Sequence, residues 1–218
     1  MLRVRLVLST LRRIATGARP DAYAFDVASA AWGTTALHHG RVRVSTMQET
    51  PQEYIQRMLG YLAEQDPLAI QARTPQQLER LIQGVSASRL HQRPAPGKWS
   101  IAEIIAHLAD SEIVTSWRIR AILTAPGSPL QAFDQDAWFT VSHYDRRDPR
   151  QSIELLRVLR EVNLELFKTL TPEQWHQHGV HSERGVESVE HIVRLYAGHD
   201  LNHMRQVERI LSAFSHSG

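Results

Sequence analysis

Residues 99–123, "WSIAEIIAHLADSEIVTSWRIRAIL", decide the fold class. Ser100 followed three residues later by Glu103 is a capping box, in which each side chain bonds the other's backbone N–H, so a helix starts at Ile101. The run to Leu108 is nearly all apolar, and "APGSP" at 125–129 stops the helix near Thr124. At 100° per residue, His107 falls on one stripe with Ile104, Ser111, Val114 and Arg118. The helix therefore carries a histidine inside a core-facing region.

The same punctuation recurs along the chain. Thr50-Pro51-Gln52-Glu53, Thr74-Pro75-Gln76-Gln77 and Thr171-Pro172-Glu173-Gln174 each combine a Thr cap, a Pro at the first helical position and Glu or Gln at the third. Asp148-Pro149-Arg150-Gln151 repeats the design with Asp as cap. Four segments follow as long helices, over about 51–63, 101–124, 149–170 and 189–214, with a shorter one near 75–85. In the third, apolar residues at 155, 159, 162, 166 and 170 step by three and four. In the fourth, Ile192, Leu195, Tyr196, His199, His203, Gln206 and Ile210 share a face. Strand signal is slight, so the pattern reads as an all-α, up-down four-helix bundle over residues 47–218. Two longer connections, 125–148 and 176–188, have the length of functional loops.

Charge separates residues 1–46 from this body. They hold seven Arg against two acids, a net of +5, while the remainder nets −3. Residues 1–46 read as a basic, poorly ordered arm, with Met47 as an alternative start. The acidic body excludes a nucleic-acid-binding surface by charge, and no apolar run approaches a membrane span. With no cysteine among 218 residues, disulfides, thiolate ligands and a Cys nucleophile are excluded. That usage fits a reducing, cytoplasmic compartment.

The stretch "YAGHDLNHMRQ", 196–206, sets His199 and His203 one helical turn apart on the apolar face. Buried imidazoles need partners, because an unpaired buried polar group costs free energy. A divalent cation satisfies both, and His107 from a facing helix supplies a third nitrogen while leaving a position for water or substrate. The alternative is that the three are packed and hydrogen-bonded with no metal. Asp200 replaces the glutamate that a His-Glu-x-x-His zinc peptidase uses as general base. No Gly-x-Ser-x-Gly elbow, Walker loop or Gly-x-Gly-x-x-Gly fingerprint occurs. His38, His39, His91, His143, His176, His178, His191 and His216 read as surface.

"PGKWSIAEIIAHLADSE", the central "FDQDAW" at 133–138 and "LYAGHDLNHMRQVERIL" occur in an order and spacing that resemble the DinB-like four-helix-bundle family, in particular its YfiT-like, metal-dependent members. The resemblance covers roughly residues 50–213. It implies a divalent metal, Zn²⁺ or Ni²⁺, on His107, His199 and His203. It also implies hydrolysis or thiol S-transfer on a small-molecule substrate, with a low-molecular-weight thiol as a second cofactor, and a homodimer. Arg118 matches a family arginine placed to hold an anionic substrate group, and His181 stands where the family often has a histidine, at the pocket mouth. The competing reading is a non-catalytic, stress-associated binding or scaffold module, in which Asp110, Glu112 or His181 closes the metal shell as fourth ligand. Asp134 and Asp136, in the long connection, are further acids that could approach the site.

Overall fold

A computed structural model of the chain describes residues 49–215; the reading of residues 1–46 as an arm lies outside them. Eight helices are present among the described residues: α1 (Pro51–Leu62), α2 (Pro67–Ile82), α3 (Ala87–His91), α4 (Ile101–Thr124), α5 (Gln135–Val141), α6 (Pro149–Lys168), α7 (Pro172–His176) and α8 (Val189–Ser215). The starts read from Thr50, Ser100, Asp148 and Thr171 are where the caps put them, with full capping boxes at Thr50, Ser100 and Thr171. Thr74-Pro75 is different. It lies inside α2, which begins two turns earlier on the Asp66 cap and Pro67. Thr74 Oγ1 donates to the Ile70 carbonyl at 2.9 Å, and Pro75 is buried. Asp66-Pro67 won because it offers a side-chain cap and an N1 proline with eight more helical residues, among them the buried Ile70 and Gln71.

Four helices, α2, α4, α6 and α8, form the bundle. The main packing pairs are α4 with α6, α2 with α8, α2 with α6 and α4 with α8, and α1 lies along α8. The sequence-consecutive pair α2 and α4 therefore sits across a diagonal. Its core joins Leu78 and Ile82 of α2, Ile101, Ile104, Ile105 and Leu108 of α4, Ile153 and Leu156 of α6, and Met204, Val207 and Ile210 of α8. The first twelve residues of α4 are all buried, which makes it the central helix. Gly198 lets α1 close on α8: a Cβ there would lie 2.0 Å from the Met58 carbonyl oxygen.

The buried face of α6 is not the 155/159/162/166 stripe. It is Ser152, Ile153, Leu156, Arg160, Asn163 and Phe167, while Val162 is 54% exposed. Polar residues turn inward because acids on other helices meet them. Arg160 donates to Asp200 of α8 at 2.8 Å, pairs with Glu112 of α4 at 2.8 Å, and reaches the Gln71 carbonyl of α2 at 3.1 Å. Asn163 donates to Glu112 at 2.6 Å and accepts from Arg120 at 2.8 Å. Burial opposes the Arg160 charge, but Asp200 and Glu112 outweigh it and hold the guanidinium protonated.

A small sheet joins the two long connections. Strand β1 (Pro129–Leu130) pairs in parallel with β2 (His178–His181), which pairs antiparallel with β3 (Gly185–Ser188). These strands are too short for period-two patterning to announce them. Among the described residues, no helix is long and apolar enough to cross a membrane.

Replacing Arg160 leaves two buried carboxylates without their cation. The Arg160→Met variant is expected to lose about 3–5 kcal/mol of unfolding free energy in urea titration. A loss no larger than the roughly 1 kcal/mol of a surface pair would show that the cluster does not hold the bundle.

Candidate metal centre

His107 from α4 and His199 and His203 from α8 meet in the bundle, each at least nine-tenths buried. The Nε2 atoms of His107 and His199 are 3.1 Å apart, and those of His199 and His203 are also 3.1 Å apart. Hydrogen bonding among the rings cannot account for this. An imidazole nitrogen has one in-plane site, either a proton or a lone pair, so His199 Nε2 can satisfy only one of its two neighbours. Nitrogens bound to one ion at about 2.0–2.1 Å lie about 3–3.4 Å apart, so the donor set fits a divalent metal.

The surroundings favour ligation as well. Burial, reinforced by the charge of the neighbouring imidazoles, pushes His107 and His199 well below the usual histidine range. Burial also lowers His203 to about 4, against a stabilising bond to Gln206. All three are neutral near pH 7, with lone pairs free. His203 Nδ1–H donates to Gln206 Oε1 at 3.0 Å, which leaves its Nε2 unprotonated. The Nδ1 atoms of His107 and His199 have no hydrogen-bond partner, so packing orients these rings. Trp99 lies 5.0 Å from His107, Phe133 stacks on it at 5.9 Å, and Tyr196 lies 5.7 Å from His199. The "FDQDAW" segment thus lays an aromatic cover over the cluster, with Trp138 edge-on to Phe133 at 5.0 Å.

None of the acids weighed as a fourth ligand joins the group. Asp110 pairs with Arg147 at 2.6 Å, and Glu112 is committed to Arg160 and Asn163. Asp200, next to His199, also serves Arg160. Asp134 caps α5 and Asp136 lies exposed in its first turn. His181 is buried beside Arg118, with His181 Nε2 3.2 Å from Arg118 Nη2. Among the described residues, the three histidines are the whole candidate set. Of the other histidines, His91, His143, His176 and His178 are exposed as expected, His191 is half-buried beside Glu187, and His38, His39 and His216 lie outside the described residues.

A cavity of about 160 Å³ opens on the cluster, lined by His107, His199, Ser111, Arg118, Tyr196 and Phe133, with Tyr54, Gln135, Arg184 and Leu195. Ser111 Oγ is 3.4 Å from His107 Nε2. Burial, with Tyr196 adding to it, raises the Tyr54 phenol, so it remains protonated. Tyr54, Gln135 and Arg184 were not legible as site residues, because each arrives from an element whose packing on α4 and α8 is not a local property. Tyr196 was visible only as a member of the α8 stripe.

A family profile of the DinB superfamily matches residues 71–207, and the chain belongs to that superfamily. Its relatives include "Putative metal-dependent hydrolase YfiT" of Bacillus subtilis, 25% identical over 62% of this chain and 77% of that protein. A similarly named protein, OB0413 of Oceanobacillus iheyensis, is 28% identical over 62% of this chain and 78% of its own length. The solved structure of Bacillus subtilis YfiT, described as having an unusual four-helix bundle topology, superposes with a TM-score of 0.64 at 22% identity, covering 82% of this chain and 94% of that one. This likeness confirms the bundle.

Buried histidines with depressed pKa values make the metal-free protein sensitive to acid. Below about 6.5 the unfolded chain takes up protons that His203 and His181, both lowered to about 4, refuse when folded. Stability therefore falls as pH drops from about 6.5 toward 4. The melting temperature of chelator-treated protein is expected to decline steadily between pH 7 and pH 5, and His203→Gln to flatten that slope. A flat profile in the parent protein would contradict the neutral, buried state of these rings.

Proposed function

We propose that this protein is a metal-dependent hydrolase acting on a small molecule, with its divalent ion held by Nε2 of His107, His199 and His203. The observation that carries the reading is the convergence of three neutral imidazole nitrogens at 3.1 Å spacings that hydrogen bonding cannot satisfy. A divalent ion held by these three imidazoles would supply Lewis acidity, favouring the nucleophilic form of water or a thiol near neutral pH. Zinc and nickel both accept such a donor set.

The chain's own residues do the rest. Gln206 fixes the tautomer of His203. Trp99 and Phe133 shield the His107 side from bulk water. Tyr54, held as a neutral phenol, and the Ser111 hydroxyl line the space in which a substrate would sit. The absence of a fourth protein ligand among the described residues supports an open, reactive centre over a closed structural one and so favours an enzyme over a scaffold. A low-molecular-weight thiol could replace water as the nucleophile at the same centre, which would make the reaction thiol S-transfer.

Elemental analysis of the purified protein is expected to find a stoichiometric divalent metal. His107→Ala, His199→Ala and His203→Ala are each expected to lose it and to abolish turnover of a panel of small esters and amides. Gln206→Leu, which removes only the support of His203, is expected to weaken metal binding by about 10–100-fold. A parent protein without metal, or metal retained in all three alanine variants, would sink the reading. Turnover that requires an added small thiol would shift the assignment from hydrolysis to transfer.

A further inference from the structure

Residues 132–143, which include α5, run across the histidine cluster as a strap. Among the described residues, every hydrogen bond made by residues 132–142 closes within 132–143. No ion pair ties them to the bundle. The contacts that hold the strap down are aromatic. Phe133 stacks on His107 at 5.9 Å, and Phe139 stacks on Trp99, also at 5.9 Å. Phe139 meets Tyr144 edge-on at 5.4 Å, and the Arg93 guanidinium lies over its ring at 5.6 Å. No residue of α5 is buried, yet His107, which the strap covers, is only 3% exposed. A segment with few buried contacts and no hydrogen bonds to its surroundings sits at the low end of local stability.

The two ends of the strap are fixed. Leu130 is buried in β1, and the Gln131 carbonyl accepts from Arg118 Nη2 at 2.5 Å. At the other end Tyr144 is fully buried, and Arg147 pairs with Asp110 at 2.6 Å. Between the strap and this second anchor stands His143. Its φ of 49° and ψ of 54° lie in the left-handed region, with no side-chain cap bond to stabilise them. Only glycine adopts that conformation freely, so the closed strap holds His143 in strain. Phe133 also stands in the wall between two spaces. It lines the cavity of about 160 Å³ at His107 and His199, and it lines an apolar cleft of about 390 Å³ bounded by Ile113, Trp117 and Trp138.

We infer that residues 132–143 are a lid over the three histidines, with His143 as its hinge and the Phe133 ring on His107 as its latch. Lifting the latch joins the apolar cleft to the histidine cavity and breaks no hydrogen bond to the bundle. Return of His143 to an ordinary negative φ accompanies the motion and releases its strain. Small hinged segments that close over a site in this way admit ligand and then exclude water. The lid is a property of the fold whatever the histidines hold; that the molecule it admits is a substrate rests on the hydrolase reading.

The test uses diethyl pyrocarbonate, a small neutral electrophile that acylates unprotonated imidazole. It is applied to the full-length, chelator-treated protein, and the modified histidines are read by peptide mass spectrometry. Phe133→Ala is expected to speed modification of His107, His199 and His203 by about three- to tenfold, the factor one aromatic contact carries. The exposed His91 and His176 serve as references and are expected to react at unchanged rates. His143→Val, at an exposed position, places a β-branched residue where φ is positive and is expected to speed the same three sites. In the parent protein these rates are expected to stay level in urea well below the unfolding midpoint, because lid opening exposes little surface. Equal rates at the three histidines in parent and both variants would overturn the inference. So would parent rates that climb with urea as global unfolding does. Accelerated modification in the variants, together with a purified parent that carries no metal, would sink the hydrolase reading and leave the lid standing. Stoichiometric metal with unaccelerated variants would do the reverse.

Discussion

A single guanidinium, Arg160, sits where four helices meet, and the rest of the structure is arranged around its charge. Glu112 of α4, Asp200 of α8 and the Gln71 carbonyl of α2 all turn toward it from their own helices. A buried ion cluster of this kind adds little to net stability compared with an apolar core of the same shape, but breaking it is expensive. What it does impose is registry. A one-turn slip of any partner helix would leave a charge unpaired in the interior. Asn163 and Arg120 extend the network by about one turn along α6 and two turns along α4.

The histidines inherit that registry. His199 precedes Asp200 and lies on the adjoining face of α8, and His107 is little more than a turn from Glu112 on α4. When Arg160 fixes the two acids, it also fixes how far apart His107 and His199 stand. Charge on one side of each helix thus sets the spacing of neutral nitrogens on the other. The two sets of groups differ in chemistry for the same reason. The acids have a cation as partner, whereas the imidazoles are buried against one another and stay neutral. Trp99 and Phe133 cover the His107 ring, and Arg118 lines both the cavity at the histidines and a neighbouring apolar cleft.

Much of this was legible in the sequence where the signal is local. The caps at Thr50, Ser100, Asp148 and Thr171 each involve residues within three positions of each other, and each gave the helix start. The His199–His203 spacing and the apolar surroundings of His107 are also local, and the structure brings those three side chains together. What failed depended on distant partners. The buried face of α6 departs from its apolar stripe because Glu112 and Asp200 meet Arg160, and nothing near Arg160 in the chain reveals those partners. Thr74-Pro75 is a sound helix start by its own chemistry, but the earlier Asp66-Pro67 cap overrode it through tertiary burial of Ile70 and Gln71. Asp110 and Glu112 looked free as ligands until Arg147 and Arg160 arrived from elsewhere. The three short strands carry too few residues for alternation, so the placement of His181 against Arg118 had no sequence signal beyond family likeness.

Among the described residues, His107, His199 and His203 are the only side chains grouped closely enough to hold a metal ion together, and on the proposed reading they are the protein ligands of that ion. X-ray absorption fine structure on the zinc-loaded, full-length protein tests this most directly. The account predicts scattering from three imidazole rings together with at least one exchangeable light-atom ligand that is not histidine. Fewer than three imidazoles, or a shell closed by a fourth imidazole or a protein carboxylate, would contradict it.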